Sequence, residues 1–335
     1  KRKKFIYYYI AIDNRFRLEW KYNTMEGVNI LKKLLYFMSC LLLFLTACGN
    51  NTESKDATST EDSKMKTYTT GEGSKVQIPK KPKRVLDLTA NYGNFKKLGI
   101  KPIAITSVFP NSKYLNMTKI KKIDPEDVEA AAKLKPDLII TYKENKNNKK
   151  LAKIAPTVPI KVQNMDYKDT HIEIGKLVNK EAKAKEQANK LSSKLAKDGE
   201  AIKKVIGKDK TFSIMDIQAK DIYQFGPRFG RGSEAIYEGF NLKEDPNAKK
   251  AMPKEKFMKV PKEKFNAYSG DYLLLPTKGG KKPNNDFVKS NTWKNNQAVQ
   301  NDHIIYYDMN EAIYADLISV EKQAELFKKE LLKDK

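Results

Sequence analysis

The run Gly226-Pro-Arg-Phe-Gly-Arg-Gly-Ser-Glu234 sets arginines and a phenylalanine among glycines, directly ahead of a helical pattern. A guanidinium is a planar fork of donors that can reach several anionic oxygens, and neighbouring rings add apolar faces. The loop thus suits an oxygen-rich, anionic ligand. A nucleotide-phosphate loop fits less well, because the Gly-Lys-Ser/Thr ending is absent. By itself the run serves equally as a surface turn before a helix. Tyr92, Tyr142 and Tyr314 offer further rings and hydroxyls. Catalysis has no comparable constellation: His171 and His303 are far apart, and no nucleophile–base pair stands out. The two cysteines, Cys40 and Cys48, both fall in the first apolar segment. The remainder therefore has no disulfide or cysteine-based metal site, and no His/Asp/Tyr cluster stands at metal-ligand spacing. No catalytic residue, intrinsic cofactor or direct metal ligand is expected.

These residues sit in a pattern of short apolar runs alternating with helical stretches. Lys83-Arg-Val-Leu-Asp-Leu-Thr89, Ile103-Ala-Ile-Thr106, Leu138-Ile-Ile-Thr-Tyr142 and Val158-Pro-Ile-Lys161 read as strands. Asn91 to Gly99 reads as a helix closed by glycine, and Pro125 to Leu134 as a helix capped by Asp124. Such alternation implies a parallel sheet, whose ligands lie at the carboxyl ends of its strands, here near Thr89, Asn91, Tyr92, Thr106, Tyr142 and Lys143. After Thr211 the pattern resumes, with a hairpin Thr211–Ile217/Asp221–Phe225, a strand from Gly270 and a last helix from about Ile318 to Leu332. Trp293 and His303 read as packing residues. Between the halves, Asp169 to Ile206 has no proline and repeats apolar or small residues at Ala184, Ala188, Leu191, Leu195, Ile202 and Val205. That spacing predicts one helix roughly 55 Å long, a strut between two α/β lobes, with Gly199 its weak point. The net charge of +24 is spread along the 335 residues and matches no nucleic-acid motif, so the milder inference is attraction to an anionic surface.

The beginning of the chain carries targeting. From Leu31 a basic start leads into a short apolar core and then Leu45-Thr46-Ala47-Cys48, which resembles a bacterial lipobox. The resemblance implies cleavage before Cys48 and a lipid on its thiol. Residues 1–30 are expected to be a mis-called upstream extension, residues 31–47 the signal peptide, and residues 48–66 a polar flexible tether. The folded part then lies outside the cytoplasmic membrane of a bacterium.

"PKRVLDL…LKKLGIKPIAI" from Pro82, "IDPEDVEAAAKLKPDLIITY" from Ile123 and "APTVPI" from Ala155 resemble the iron-siderophore and vitamin B12 substrate-binding proteins of ABC importers. The similarity runs from about Thr67 to the end. It implies a class III periplasmic-binding-protein fold: two Rossmann-like lobes (67–164 and 209–335) joined by one long helix (165–208), with the family domain over about 83–335. The loop at Phe229-Gly-Arg231-Gly looks like the ligand loop of Gram-positive hydroxamate-siderophore lipoproteins. Those more often have Trp at the Phe229 position and Tyr at the Phe225 position, and often Trp where this chain has Ile313. The resemblance implies a ferric-siderophore site at Asn91, Tyr92, Tyr142, Phe225, Phe229, Arg231 and Tyr314, with Met309 to Tyr314 lining the cleft. It also implies one acidic residue per lobe, Glu129 and Glu263, docking on the permease of an ABC transporter with its ATPase. Ordinary favourable charge at helix N-termini explains those two acids equally. The expected molecule is a monomer on the extracellular face of a Gram-positive cell, with modest lobe movement and no nucleic acid as partner. Carboxylate or catecholate siderophores, haem and cobalamin are alternatives within the family. A surface adhesin would show repeats and an anchored hydrolase a catalytic constellation, and the sequence shows neither.

Overall fold

A computed structural model describes residues 64–160 and 165–333, which cluster as one compact unit. The lipobox, Cys48, the upstream extension and most of the tether lie outside the described residues.

An antiparallel hairpin of β1 (Met65–Thr69) and β2 (Lys75–Pro79) precedes the first lobe. That lobe is a five-stranded, all-parallel sheet of β3 (Val85–Asp87), β4 (Ala104–Thr106), β5 (Lys122–Ile123), β6 (Leu138–Tyr142) and β7 (Thr157–Ile160), in the order β5-β4-β3-β6-β7. Every residue of β3 and β4 is buried, as expected for strands covered on both faces. Helix α1 (Tyr92–Leu98) leaves β3 and ends at Gly99, which takes the left-handed φ of +78° that closes a helix. Helix α2 (Val128–Lys133) is capped by Asp127, which accepts from the Ala130 amide at 2.8 Å. The cap expected at Asp124 is corrected accordingly: Asp124 instead accepts from the Glu126 amide in the turn before.

The strut differs from its expected form. Two helices, α3 (Tyr167–Leu177) and α4 (Glu181–Ile206), replace the single helix Asp169–Ile206. The break falls at Val178-Asn179-Lys180, with Asn179 at φ +57°. It lets the two helices pack closely: a Cβ on Gly175 would come within 2.5 Å of the Ala184 Cβ. Helix α4, of 26 residues, spans about 39 Å. Gly199 neither kinks nor ends it. The Phe240 backbone lies where its Cβ would be, so the glycine admits a close approach of the second lobe.

The second lobe is a mixed sheet. β8 (Thr211–Ile217) and β9 (Ile222–Phe225) form the expected hairpin. β10 (Lys243–Glu244) pairs with β8. β11 (Phe257–Val260), an edge strand that sequence reading missed, runs antiparallel to β9. β12 (Tyr272–Thr277) and β13 (Ile304–Asp308) add parallel strands, and α5 (Leu317–Leu331) packs back on the lobe. Trp293, 2% exposed, packs on Phe265 and Phe287, as its reading as an anchor requires.

Candidate ligand-binding site

The first wall forms where β3 and β6 end. Asp87 is fully buried, and its Oδ1 accepts from both the amide and the hydroxyl of Thr89. Thr89 Oγ1 in turn accepts from Asn91 Nδ2 at 2.9 Å. Tyr142, the last residue of β6, accepts from the Ala90 amide through its hydroxyl at 2.9 Å. One tyrosine thereby clamps the turn between β3 and α1. Tyr92, half-buried, opens α1 and shares an apolar cluster with Tyr142, Phe109, Ile313 and Tyr314. The structure therefore brings Asn91, Tyr92 and Tyr142 together as the sequence implied.

The second wall forms beyond β9. The Phe225 and Phe229 rings stack 5.1 Å apart, and Phe229 meets Phe257 of β11 at 5.2 Å. The Arg231 guanidinium carbon sits 4.9 Å from the Phe225 ring centre and 5.3 Å from that of Phe229. Ring faces carry negative quadrupole density, so both attract this cation. The loop holding it is built from left-handed residues: φ is +66° at Arg228, +75° at Gly230, +58° at Arg231 and +87° at Gly232. Several bonds hold that unusual path. Glu234 accepts from the Gly230 amide at 2.8 Å, Ser233 Oγ accepts from the Phe229 amide at 3.2 Å, and the Tyr307 hydroxyl donates to the Arg231 carbonyl. The following segment, Glu234–Gly239, is helical as its pattern suggested, and takes the π form. Of the two arginines, Arg228 is paired with Glu238, and Arg231 is turned to the rings.

The acids behind the walls differ. Burial pushes Asp87 up to about 7, against the pull of its Thr89 bonds. Burial also raises Asp216, at the end of β8, while the Gln218 amide and the Arg231 charge draw it back. Glu234 is raised by burial too, opposed first by the Gly230 amide.

Tyr314 is placed differently from its neighbours. It is 1% exposed, and its hydroxyl donates to the Pro110 carbonyl of the first lobe. Beside it Ile313 is the partly exposed side chain, and the Ile313 carbonyl would lie 3.0 Å from a Cβ on Gly230. Tyr314 and Ile313 thus join the two walls. Glu311 adds a second tie, accepting from Ser112 Oγ and from the Lys113 and Tyr114 amides at 2.5, 2.7 and 3.1 Å. Within the site Asn91, Phe225 and Arg231 are each no more than 5% exposed, whereas Tyr92, Tyr142 and Phe229 are partly exposed.

Sequence reasoning did not single out Phe257, Asp216, Asp87 or Glu234, and it named Glu311 only within the stretch Met309 to Tyr314. Asp216 had a signal, a lone acid inside the apolar run Phe-Ser-Ile-Met-Asp-Ile. Phe257 had none, since it reaches Phe229 only through the pairing of β11 with β9.

Glu129 and Glu263 are both exposed, on the first turn of α2 and on the single turn Lys262–Lys264. Neighbouring acids are committed elsewhere: Glu126 pairs with Lys146 at 2.8 Å, and Asp127 caps α2. Neither Glu129 nor Glu263 makes an ion pair among the described residues. No group of three or more His, Cys, Asp or Glu among the described residues is placed to hold a metal ion. No helix among them is long and apolar enough to cross a membrane.

Comparison with known proteins points one way. Residues 95–311 match the family model described as periplasmic binding protein. The iron(3+)-hydroxamate-binding protein FhuD of Bacillus subtilis is 39% identical over 317 residues, covering 91% of this chain and 99% of that protein. The FhuD protein from S. pseudintermedius superposes with a TM-score of 0.74 at 33% identity, over 81% of this chain and 99% of that one. FhuD2 from Staphylococcus aureus with bound ferrioxamine B superposes with a TM-score of 0.70 at 34% identity, over 75% and 99%.

Proposed function

Since the chain belongs to the periplasmic binding protein family, we propose that it captures a ferric siderophore of the hydroxamate type and delivers it to an ABC permease for iron uptake. The observation that carries this reading is the Arg231 guanidinium, held over two phenyl rings on a left-handed loop at the junction of the lobes. A ferric hydroxamate already saturates its metal. What it asks of a protein is rings for its chelate arms and a fixed donor fork for the oxygens around the iron. Arg231 supplies the fork, Phe225, Phe229 and Phe257 the rings, and Asn91, Tyr92 and Tyr142 the facing polar wall. The iron is cargo and takes no ligand from the chain. Because Arg231 and Phe225 are buried, ligand contact with them requires the walls to part, and the ties at Tyr314 and Glu311 keep that movement modest.

Glu129 and Glu263 serve as the docking acids, one on each lobe, toward arginines of the permease. Removing both should abolish uptake while leaving binding intact. The chain acts as a monomer, lipid-anchored through Cys48 on the outer face of the membrane; the tether expected over residues 48–66 ends before β1, which begins at Met65.

Intrinsic fluorescence on titration with ferrioxamine B, ferrichrome, ferric citrate, a catecholate, haem and cobalamin tests the reading. Saturable quenching by the two hydroxamates is the expected result. Saturation by another member alone would replace the ligand class, and silence from all six would overturn the transport role.

A further inference from the structure

Asn94 stands where both lobes and both connecting helices meet. Its Nδ2 donates to Asn91 Oδ1 at 2.9 Å, and Asn91 donates onward to Thr89. Its Oδ1 accepts from the Leu317 amide, the first residue of α5, at 3.0 Å. The same oxygen lies 3.0 Å from His171 Nδ1 on α3. His171 Nε2 lies 3.0 Å from Gln187 Oε1 on α4, and Gln187 Nε2 donates to the Lys97 carbonyl at 3.0 Å.

The orientation of each amide follows from its partners. A backbone N–H only donates, so Asn94 must turn its oxygen to Leu317 and its NH2 to Asn91. A carbonyl only accepts, so Gln187 must turn its NH2 to Lys97 and its oxygen to the ring; His171, kept neutral by burial, has one N–H and donates it to only one of the Gln187 and Asn94 oxygens. Asn94 and His171 are both fully buried. The adjacent backbone leaves no slack: a Cβ on Gly93 would lie 1.8 Å from the Asp316 carboxylate, which caps α5. Apolar side chains could fill this joint without fixing its geometry. A buried, fully directed amide fixes it, because any displacement strands a donor or an acceptor away from water.

We propose that Asn94 is a positioning residue for ligand capture. It orients Asn91 at the floor of the first wall and sets the distance from that floor to the start of α5 at Leu317, three residues after Tyr314. The register of one wall against the other is thereby set by a single side-chain amide that touches no ligand. This rests on the reading of Asn91 as a site residue.

The test uses the full chain with Cys40 and Cys48 replaced by serine and spin labels on cysteines placed at Lys133 and Lys262, one exposed position per lobe. Asn94→Ala should broaden the label-to-label distance distribution and weaken ferrioxamine B binding at least tenfold. The control is Asp137→Ala, which removes acceptors of the Lys83 and Arg84 amides at the amino end of β6, away from the site. It should lower thermal stability while leaving the distance distribution and the affinity unchanged. Equal broadening in both variants, or none in Asn94→Ala, overturns the proposal. If Asn94→Ala does not fold, Asn94→Asp decides. It keeps the acceptor for Leu317 and loses the donor to Asn91, so it should weaken binding with the spacing intact, and unchanged affinity would overturn the proposal. A parent chain that ignored ferrioxamine B would defeat the hydroxamate reading alone, and the spacing measurement would still decide this one.

Discussion

The first wall is made of neutral hydrogen bonds at the ends of parallel strands, whereas the second is made of stacked rings around a cation on a left-handed loop. Each wall also hides an acid, and these acids differ in company. Asp216 feels the positive charge of Arg231. Asp87 has Thr89 as its only hydrogen-bonding partner among the described residues, and its Oδ2 is unmatched there. The contrast separates two ways of making a rigid surface. Hydrogen bonds fix the first wall with no charge available to a ligand. The second wall is a left-handed loop held by Glu234, Ser233 and Tyr307, with stacked rings packed around the Arg231 cation. Both walls should therefore respond to pH through buried acids, the first with no cation to oppose its burial, and the second should respond also to the charge of what is bound.

The largest expected effect tests the first half of that contrast. Burial raises Asp87 from its ordinary 3.8 to about 7. Between those values the folded chain keeps a proton that the unfolded chain has released. The resulting stability is full below the unfolded value and is lost as pH rises through about 7, an effect on the order of 4 kcal/mol. Denaturant midpoints measured from pH 4 to 8 should fall with rising pH in the parent. Asp87→Asn should shallow that slope, leaving the shares of Asp316, which burial raises to about 6, and of Asp216 and Glu234, which burial also raises. An undiminished slope would mean that Asp87 ionises freely and that the walls do not differ in this way.

Arg231 tests the other half. Replacing it with glutamine keeps a donor but removes the charge and the fork, and should weaken ferrioxamine B about 100-fold, near 2.7 kcal/mol. Tyr92→Phe, on the neutral wall, should cost far less. Equal losses from the two would erase the distinction between a charged and an uncharged wall.

The loop that carries Arg231 offers a smaller effect. Gly232 has φ +87°, and a Cβ there would lie 2.7 Å from the Phe327 ring. Gly232→Ala should destabilise the fold by about 2 kcal/mol, from strain and overpacking together. Gly73 has a similar φ of +85° but open space around it, so Gly73→Ala isolates the strain, at about 1 kcal/mol. If the two cost the same, the loop is fixed by its backbone alone, without help from α5.

What could be read beforehand follows from how far each signal travels along the chain. The Phe229–Arg231 loop was legible as a turn from its glycines, and as a ligand loop only through the family resemblance. The parallel sheet was legible from apolar runs of strand length, and α5 from its period. The break between α3 and α4 was not, because Val178-Asn179-Lys180 contains neither glycine nor proline and the apolar spacing continues across it. Asn179 takes the left-handed turn that asparagine tolerates among non-glycine residues. Tyr314 read as a cleft residue, yet its place depends on Pro110, 204 positions earlier. Asn94 resembles any polar residue in a first helical turn until α3, α4 and α5 close around it.

Tyr142→Phe carries the smallest expected effect and the finest test. The Tyr142 hydroxyl accepts the Ala90 amide at 2.9 Å, and the ring packs in the cluster that includes Tyr92 and Ile313. Phenylalanine keeps the ring and deletes the acceptor, so the turn between β3 and α1 loses one bond, worth about 1 kcal/mol. If the wall is fixed by hydrogen bonds, that loss should appear as faster exchange of the Ala90 amide and as a fewfold weaker affinity. The corresponding probe of the second wall is Phe257→Leu, which keeps apolar bulk but removes the ring meeting Phe229 at 5.2 Å. It should alter affinity without changing amide exchange in the Phe229–Arg231 loop, whose backbone is held by Glu234, Ser233 and Tyr307. Were Phe257→Leu to loosen that loop, stacking rather than backbone bonding would be what holds Arg231 in place.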